Sequence, residues 1–396
     1  MNPWRGLKGL PADAWIISAA TLVNRSGTMV LIFLVLYLTG SLGFAPEVAA
    51  LGVTIYGIGA IIAGPITGAL CDRFGPRAVM QWSLISSGIA LSLVPLARGV
   101  TAVFAALFVW SLLAEAFRPA CMAAITEVAG PGQSRAGIAL VRLAINVGMS
   151  IGPAVGGLLA TVSFTALFLA DAATSVAAGI LLLLWKPHAV ATVGEDASST
   201  PYVSRWQALA DRRLIWFLAA FTPVLMVFFQ HEAATALYLV RDLGYSESFY
   251  GLLFTINTGI IILLEVPLNL SMSHWQHRAA LALGAALVAL GFGALAGAAS
   301  LPAIIGTVVI WTFGEMILLP GSGAYVADIA PAGRRGQYMG FYTMTFGVAF
   351  AVGPWLGTLV LERAGARALW LGCLAAGAVS TLMLMRLPRG GISQSA

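Results

Sequence analysis

Residues 48–77 read VAALGVTIYGIGAIIAGPITGALCDRFGPR, and this stretch decides what kind of protein the chain is. Its first 24 residues contain no Asp, Glu, Lys or Arg, whereas the last six contain Asp72, Arg73 and Arg77. A helix needs about 20 mostly apolar residues to cross the hydrocarbon core of a bilayer. The stretch is therefore typical of a membrane-spanning helix that ends in a short polar loop.

The composition of the whole chain has the same character. Of the 396 residues, 59% are hydrophobic and 9% are charged, compared with about 25% charged in soluble domains. This excludes a cytosolic enzyme, and 21 Lys and Arg are too few for a nucleic-acid-binding face. The cysteines Cys71, Cys121 and Cys373 form neither a disulfide framework nor a zinc pattern, and we expect no metal and no cofactor.

We predict an all-α polytopic membrane protein with twelve spans joined by mostly short connectors. The predicted spans, numbered 1 to 12, are residues 14–39, 47–70, 78–97, 101–126, 136–160, 164–185, 214–240, 247–272, 279–298, 301–327, 337–360 and 367–386. The one long connector, 187–213, is polar and separates an N-terminal six-helix bundle, 1–186, from a C-terminal one, 214–396.

The distribution of Lys and Arg predicts the orientation of these spans, because cytoplasmic loops carry an excess of both. With the N-terminus inside, the inner segments hold 14 of the 21 basic residues and the outer loops hold 4, which are Arg98, Arg241, Arg363 and Arg367. We therefore expect both termini and the central segment to be cytoplasmic, in the plasma (inner) membrane. Span 1 is too long for a cleaved signal peptide and carries Arg25.

The two halves of the chain resemble each other at a constant shift of 201 residues. The corresponding positions are Pro119 and Pro320, Glu127 and Asp328, Gly152 and Gly353, Pro153 and Pro354, and Gly156 and Gly357. Matches at five positions with one shift indicate an internal duplication, which is a feature of many secondary transporters. We predict two pseudo-symmetric bundles.

The loop after span 2, residues 68–77, resembles the cytoplasmic signature of the major facilitator superfamily. Its glycine at the start allows two helices to approach closely, and its Gly-Pro pair forces a tight turn. The resemblance implies that this loop latches the two halves together in the outward-open state. The residues that carry it are Gly68, Asp72, Arg73, Gly75 and Arg77. In the second half, residues 271–278 lack the acidic residue.

Residues 148–157 in span 5, GMSIGPAVGG, resemble the signature of the drug:proton antiporter branch of the same superfamily. Gly148, Gly152 and Gly156 are four residues apart, so they lie on one helix face and permit tight packing, while Pro153 bends the helix. The resemblance implies antiport. The alternative is a packing face that has no bearing on the direction of transport.

Eight charged residues lie inside predicted spans, where each costs roughly 2.5–3.5 kcal/mol at mid-membrane. They are Arg25, Glu115, Arg118, Arg142, Asp171, Glu232, Glu265 and Glu315. At this cost they must pair, lose their charge or face water. In the superfamily, spans 1, 4, 7 and 10 line the central cavity, and five of the eight lie in those spans.

These charges supply the candidates for proton coupling, which are Arg25, Glu115, Arg118, His231, Glu232 and Glu315. Glu115 and Arg118 are three residues apart, so we expect them to pair on one helix face. The arginine that the superfamily links to proton coupling in this span corresponds to Arg118. We expect Glu115 and Glu315 to gain and lose protons during transport, and Glu232 beside His231 is the alternative proton carrier.

The predicted substrate cavity is aromatic, with few fixed polar groups. Its candidate residues are Asn24, Tyr37, Phe117, Phe229, Gln230, Asn257 and Trp311. Such a lining favours an amphiphilic or cationic compound over a sugar.

A second resemblance competes with antiport. Spans 1 and 10, around Arg25 and Glu315, resemble the proton-coupled peptide symporter branch, although Thr21 and Asn24 stand where that branch has glutamates. We predict a proton-coupled exporter of drugs or metabolites that acts as a monomer with small molecules, protons and lipid. The alternatives are a symporter that imports a peptide-like solute, and a receptor or scaffold that transports nothing.

Overall fold

A computed structural model describes residues 9–129, 133–185, 210–272, 275–331 and 334–387 of the chain. Within these ranges the regular structure is helical, without a strand, and twelve segments are long and apolar enough to cross a membrane. They are Ala12–Gly40, Pro46–Phe74, Pro76–Leu96, Val100–Ala129, Ala136–Val162, Phe164–Leu184, Arg212–Glu232, Glu247–Asn269, His277–Ala294, Leu301–Ile329, Gln337–Ala364 and Ala366–Met385. The predicted all-α fold with twelve spans is confirmed.

Two spans of the first half are each built from two helices. Span 1 consists of Ala12–Ser26 and Val30–Gly40, and span 4 consists of Val100–Glu115 and Phe117–Ala129. The break in span 4 lies three residues before Pro119, which has no N–H to donate to the carbonyl of Glu115. No proline explains the break in span 1.

Span 7 is interrupted near its end. Its helix, Arg212–Phe228, continues as a 3₁₀ turn at Phe229–Glu232. A short helical turn, Ala234–Ala236, and a π-helical turn, Leu237–Asp242, follow it. Irregular backbone at membrane depth is tolerated where neighbouring protein satisfies its polar groups, so this break marks a place where other helices must supply partners.

The contacts divide the chain into two compact units. The first comprises residues 1–193 and 239–258, and the second comprises residues 194–238 and 259–396. The first half of span 8 therefore clusters with the first unit. Within that unit Thr255 donates to the carbonyl of Ser150 at 2.8 Å, which ties span 8 to span 5.

Several predictions fall on residues outside the described ranges. These residues are 1–8, 187–209 of the predicted central segment, and 388–396. The predicted orientation and the predicted domain boundaries therefore stay predictions. Of the central segment, Asp211 is described: its carboxylate accepts the backbone N–H of Arg213 at 2.8 Å and caps the helix of span 7.

Large apolar side chains cover the outer faces of the helices. Those more than 70% exposed are Leu96, Val162, Leu184 and Leu263. A surface that faced water would not expose so much apolar area in contiguous patches, whereas a surface in contact with lipid does. The distribution fits a multi-pass membrane protein.

Candidate functional site

The break in span 1 is held by a carboxylate from span 6. The backbone N–H groups of Met29 and Val30 both donate to Oδ2 of Asp171, each at 3.0 Å. Asp171 is 5% exposed. The first N–H groups of a helix have no partner within that helix, and no side chain of span 1 caps them. Asp171 therefore supplies the cap that the local sequence lacks.

The glycines of span 5 lie directly against this break. A Cβ on Gly148 would lie 2.6 Å from Cβ of Arg25, and one on Gly152 would lie 3.1 Å from the Arg25 carbonyl oxygen. A Cβ on Gly156 would lie 2.8 Å from Cβ of Met29. Each of these positions is closer than side chains normally pack, so span 5 touches the backbone of span 1 only because these residues are glycines.

A cavity of about 80 Å³ lies inside the first unit, beside the break. Its lining includes Asn24, Arg25, Tyr56, Glu115, Phe117 and Asp171. The hydroxyl of Tyr56 donates to Oε1 of Glu115 at 2.7 Å. The cavity is polar and has room for more than one water molecule, so its charged groups can be hydrated although they lie within a span.

Arg25 is the cation of this cavity. Among the described residues its guanidinium forms no ion pair within 4.0 Å, and its buried Nε has no hydrogen-bond partner. It nevertheless acts electrostatically on Asp171 and Tyr56. With Glu115 and Asp171 both ionised, the three groups carry a formal net charge of −1. Uptake of one proton would make the cavity neutral.

The predicted pair between Glu115 and Arg118 is not formed. Glu115 ends the first helix of span 4, Ala116 forms a turn, and Arg118 lies exposed in the second helix. No ion pair joins the two in the described part of the chain. The three-residue spacing places two side chains on one face only when the helix is continuous, and here it is broken between them.

A second polar cluster lies in the other unit, around the break in span 7. The side-chain nitrogen of Gln230 donates to the carbonyls of Met226 and Gly353, both at 2.8 Å. A Cβ on Gly353 would lie 3.0 Å from the Met226 carbonyl oxygen, and one on Gly357 would overlap the Gln230 amide. The amide of Gln230 is thus committed to joining span 7 to span 11, although its Oε1 is buried without a partner.

His231 and Glu232 form the titratable part of this cluster. Nδ1 of His231 lies 2.6 Å from the carbonyl oxygen of Phe228, and its Nε2 lies 3.2 Å from Oε1 of Glu232. The imidazole stacks on the ring of Trp311 with centroids 6.0 Å apart. Trp311 belongs to span 10, and Glu315 of the same span acts electrostatically on His231. Four predicted site residues of spans 7 and 10 are therefore associated.

The remaining predicted cavity residues have different surroundings. Tyr37 is buried against Phe164 and Phe168 of span 6, with centroids 5.7 and 4.7 Å away, so it packs within the first unit. Phe229 contacts the ring of Phe350 at 5.2 Å in the second unit. Asn257 is buried in the half of span 8 that clusters with the first unit.

The loop at residues 68–77 matches its predicted geometry only in part. Gly75 has φ of 81°, a left-handed conformation that suits glycine, and it forms the turn between spans 2 and 3. A Cβ on Gly68 would meet no heavy atom of the described chain within 4 Å, so this glycine does not permit a close helix approach. Asp72 and Arg73 are exposed. Their latching role stays a prediction.

Arg77 has a contact that the sequence does not indicate. Its guanidinium donates to the backbone carbonyls of Leu182 and Trp185 at the end of span 6 and lies 4.9 Å from the Trp185 ring centroid. The indole N–H of Trp185 donates in turn to Oδ1 of Asp13 at 2.8 Å. The last carbonyls of a helix lack partners within the helix, so Arg77 caps the helix of span 6.

Sequence reasoning missed the roles of Asp171 and Tyr56. Asp171 was visible as a charge inside a span, but its partners are backbone groups that no pattern displays. Tyr56 gave no signal, because a tyrosine in an apolar span is unremarkable until a carboxylate is found beside its hydroxyl.

Comparison with known proteins shows the family and the fold. A model described as Major Facilitator Superfamily matches residues 17–240 and 233–395. The uncharacterized MFS-type transporter YqjV of Bacillus subtilis (strain 168) is 24% identical over 378 residues, which cover 92% of this chain and 90% of that protein. The multidrug resistance protein MdtH of Aeromonas hydrophila is 24% identical over 383 residues, covering 90% and 94%.

Among solved structures, a POT family transporter in complex with a thioalcohol-conjugated peptide has a similar fold. Its TM-score is 0.79 at 16% sequence identity, and the match covers 97% of each chain. At this identity the similarity concerns the fold and not the substrate.

Proposed function

The chain belongs to the major facilitator superfamily, and on that premise we propose that it is a proton-coupled secondary transporter that exports amphiphilic or cationic organic compounds by alternating access. It is a membrane transporter and not an enzyme. Export, proton coupling and the class of compound are the parts that this proposal adds.

The observation that carries the proposal is the charged cavity beside the break in span 1. Arg25, Glu115 and Asp171 line it, and their formal charges sum to −1 when both carboxylates are ionised. In a low-dielectric site such an imbalance favours the binding of one cation. A proton can fill this role in one conformation and leave in another when the cavity changes its access to water.

Glu115 is the candidate carrier of this proton. One of its carboxylate oxygens, Oε1, accepts the hydroxyl of Tyr56. Asp171 is different, because its Oδ2 accepts the two backbone N–H groups that begin the second helix of span 1, so it holds the break together. We therefore assign the exchangeable proton to Glu115.

Two observations support an amphiphilic substrate over a polar one. Phe117 lines the cavity, and Phe229 and Trp311 lie around the second polar cluster. The amides that could recognise a sugar or peptide are partly engaged, since Asn24 donates to Ser175 at 3.1 Å. The similarity to MdtH, whose name refers to multidrug resistance, agrees with this preference.

The test is proton-driven transport in proteoliposomes that contain the purified chain and ethidium as the probe. We expect an imposed pH gradient to drive ethidium uphill in wild type, and Glu115→Gln to lower this net flux at least tenfold while ethidium exchange continues. Glu127→Gln is the matched control, since Glu127 is exposed in the same span. Full coupling in Glu115→Gln would refute the role of Glu115.

Two other functions give different results in the same vesicles. A peptide symporter would accumulate a labelled dipeptide along the proton gradient and would leave ethidium unmoved. A receptor or scaffold would show neither flux in folded protein. The fold similarity to a POT family transporter is the reason to include the dipeptide.

A further inference from the structure

We propose that His231 and Glu232 bind a single shared proton and form a second proton site, separate from the cavity in the first unit. The inference rests on the proposed function because it names an additional carrier for the coupled proton. It is carried by the hydrogen-bond geometry of the two side chains, which admits only states with one proton between them.

The first step assigns the ring nitrogens of His231. Nδ1 lies 2.6 Å from the carbonyl oxygen of Phe228. Contacts between C–H groups and carbonyl oxygens are longer, at about 3.3–3.6 Å, so a ring carbon does not occupy this place. A carbonyl oxygen only accepts hydrogen bonds. Nδ1 therefore carries a hydrogen and donates it to Phe228.

The second step concerns the other nitrogen. In a neutral imidazole with its hydrogen on Nδ1, Nε2 has a lone pair and no hydrogen. Nε2 lies 3.2 Å from Oε1 of Glu232, and the two side chains are 12% and 11% exposed. If Glu232 were an ionised carboxylate as well, two acceptor atoms would face each other in a buried site.

One proton between these atoms removes the conflict. It makes either an imidazolium beside a carboxylate or a neutral imidazole beside a carboxylic acid, and both states have a net charge of zero. The pair therefore holds one proton more than a neutral histidine and an ionised glutamate would hold. Loss of that proton leaves a negative charge and no donor between the two side chains.

The surroundings favour retention of the proton. Besides Glu232, Glu315 of span 10 acts electrostatically on His231. When Glu315 is ionised, its negative charge opposes a second negative charge on the pair. Oε2 of Glu232 is buried without a hydrogen-bond partner in the described chain, so an unpaired carboxylate would be costly here.

Release of the proton consequently requires the site to change shape. His231 stacks on Trp311 and contacts Phe228 at a centroid distance of 4.8 Å, which leaves the imidazole little freedom. The 3₁₀ turn that carries both residues ends at Ala233, where the backbone leaves helical geometry with φ of −144° and ψ of −66°. Rearrangement of this turn would separate Nε2 from Glu232 and would admit water.

The experiment is spectroscopic and needs no substrate. Protein with ¹⁵N-labelled histidine is studied in nanodiscs by long-range ¹H–¹⁵N correlation, with His231 assigned by its loss in His231→Gln. Infrared difference spectra of wild type and Glu232→Gln report whether Glu232 is a carboxylic acid. At pH 7 we expect either imidazolium at His231 or a carboxylic acid at Glu232, and the signal that is present should disappear in Glu232→Gln.

In that variant the Gln amide can donate to Nε2, so the ring should be neutral with its hydrogen on Nδ1. Glu127→Gln should leave the His231 signals unchanged. A neutral His231 beside an ionised Glu232, or a neutral ring with its hydrogen on Nε2, would overturn the proposal. The wild-type spectra decide this even where Glu232→Gln does not fold.

Transport then separates this inference from the proposed function. We expect Glu232→Gln to exchange ethidium but to lose at least tenfold of the proton-driven net flux. A shared proton in the spectra of a wild-type protein without flux would contradict the transport proposal and leave the pair standing. Proton-driven flux in a protein whose spectra show no shared proton would contradict the shared-proton pair and leave the transport proposal standing.

Discussion

Span 1 and span 7 occupy equivalent positions in the duplicated chain, and both are broken, but different partners hold the two breaks. Their contacts with glycines follow the 201-residue shift: Gly152 faces the carbonyl of Arg25, and Gly353 faces the carbonyl of residue 226 at nearly the same distance. Gly156 faces Met29, and Gly357 faces Gln230, again 201 residues further on. The packing of the two pairs of spans is therefore preserved.

The polar groups at the two breaks differ completely. In the first unit, Asp171 accepts the free backbone N–H groups, whereas the equivalent position in the second unit, Gly372, has no side chain. There the side chain of Gln230 bonds to the backbone itself. The comparison teaches that backbone contact between helices is preserved by small residues, while the ionisable chemistry of each unit is free to diverge.

The largest expected effect comes from removing the cap of span 1. Asp171→Ala leaves two buried N–H groups without a partner, at about 1–3 kcal/mol each, so we expect the free energy of unfolding to fall by roughly 2–6 kcal/mol. Asp171→Asn should lose less, because its amide oxygen can accept both N–H groups. The measurement is thermal or denaturant unfolding in detergent.

The equivalent position supplies the control. A Cβ on Gly372 would meet no heavy atom of the described chain within 4 Å, so Gly372→Ala should be neutral or should stabilise the helix by up to about 1 kcal/mol. Equal destabilisation by Asp171→Ala and Gly372→Ala would mean that Asp171 does not act as a cap.

The preserved contact predicts matched costs in the two units. Gly152→Ala and Gly353→Ala each place a Cβ about 3 Å from a carbonyl oxygen of the facing span, and overpacking of this kind costs about 1–3 kcal/mol. Both variants should lower thermal stability to a similar extent. Gly340→Ala, at an open position, should not. A loss in only one unit would break the equivalence of the two packings.

A smaller effect is expected at the hydrogen bond between Tyr56 and Glu115 in the first unit. Tyr56→Phe removes the donor to Glu115, and a hydrogen bond to a charged group contributes about 1.5–3 kcal/mol. We expect a destabilisation in the lower part of that range, because the cavity can supply a water molecule instead. Tyr37→Phe is the matched control, since that tyrosine packs between two phenylalanines. Equal unfolding free energies for the two variants would contradict the bond.

The smallest effect is expected at Arg118. Since it is exposed and does not pair with Glu115, Arg118→Gln should change the free energy of unfolding by no more than about 0.5 kcal/mol. A double-mutant cycle with Glu115→Gln should show no coupling energy between the two positions. A coupling above about 1 kcal/mol would restore the predicted pair.

Hydropathy predicted the number and places of the spans because the bilayer imposes one length and one composition on every crossing helix. The four-residue spacing of the span 5 glycines predicted a tightly packed helix face, and the 201-residue shift predicted a duplication, but neither named the spans that these glycines contact. The breaks were less visible. Pro119 lies beside the break in span 4, but the predicted pair of Glu115 and Arg118 assumed a continuous helix there. The run Gly27-Thr28-Met29 contains no proline, and the helices with Pro153 and Pro354 in their interiors continue.

The amino-acid sequence by itself determined an all-α membrane protein with twelve spans, an internal duplication and a small set of charges inside those spans. The tertiary structure alone decided which of these charges meet. It brought Asp171 to the backbone of span 1, placed Tyr56 on Glu115 and turned Arg118 away. The physical reason is that hydrophobicity and helix periodicity are properties of neighbouring residues, whereas a carboxylate takes its partner from whichever helix packs beside it.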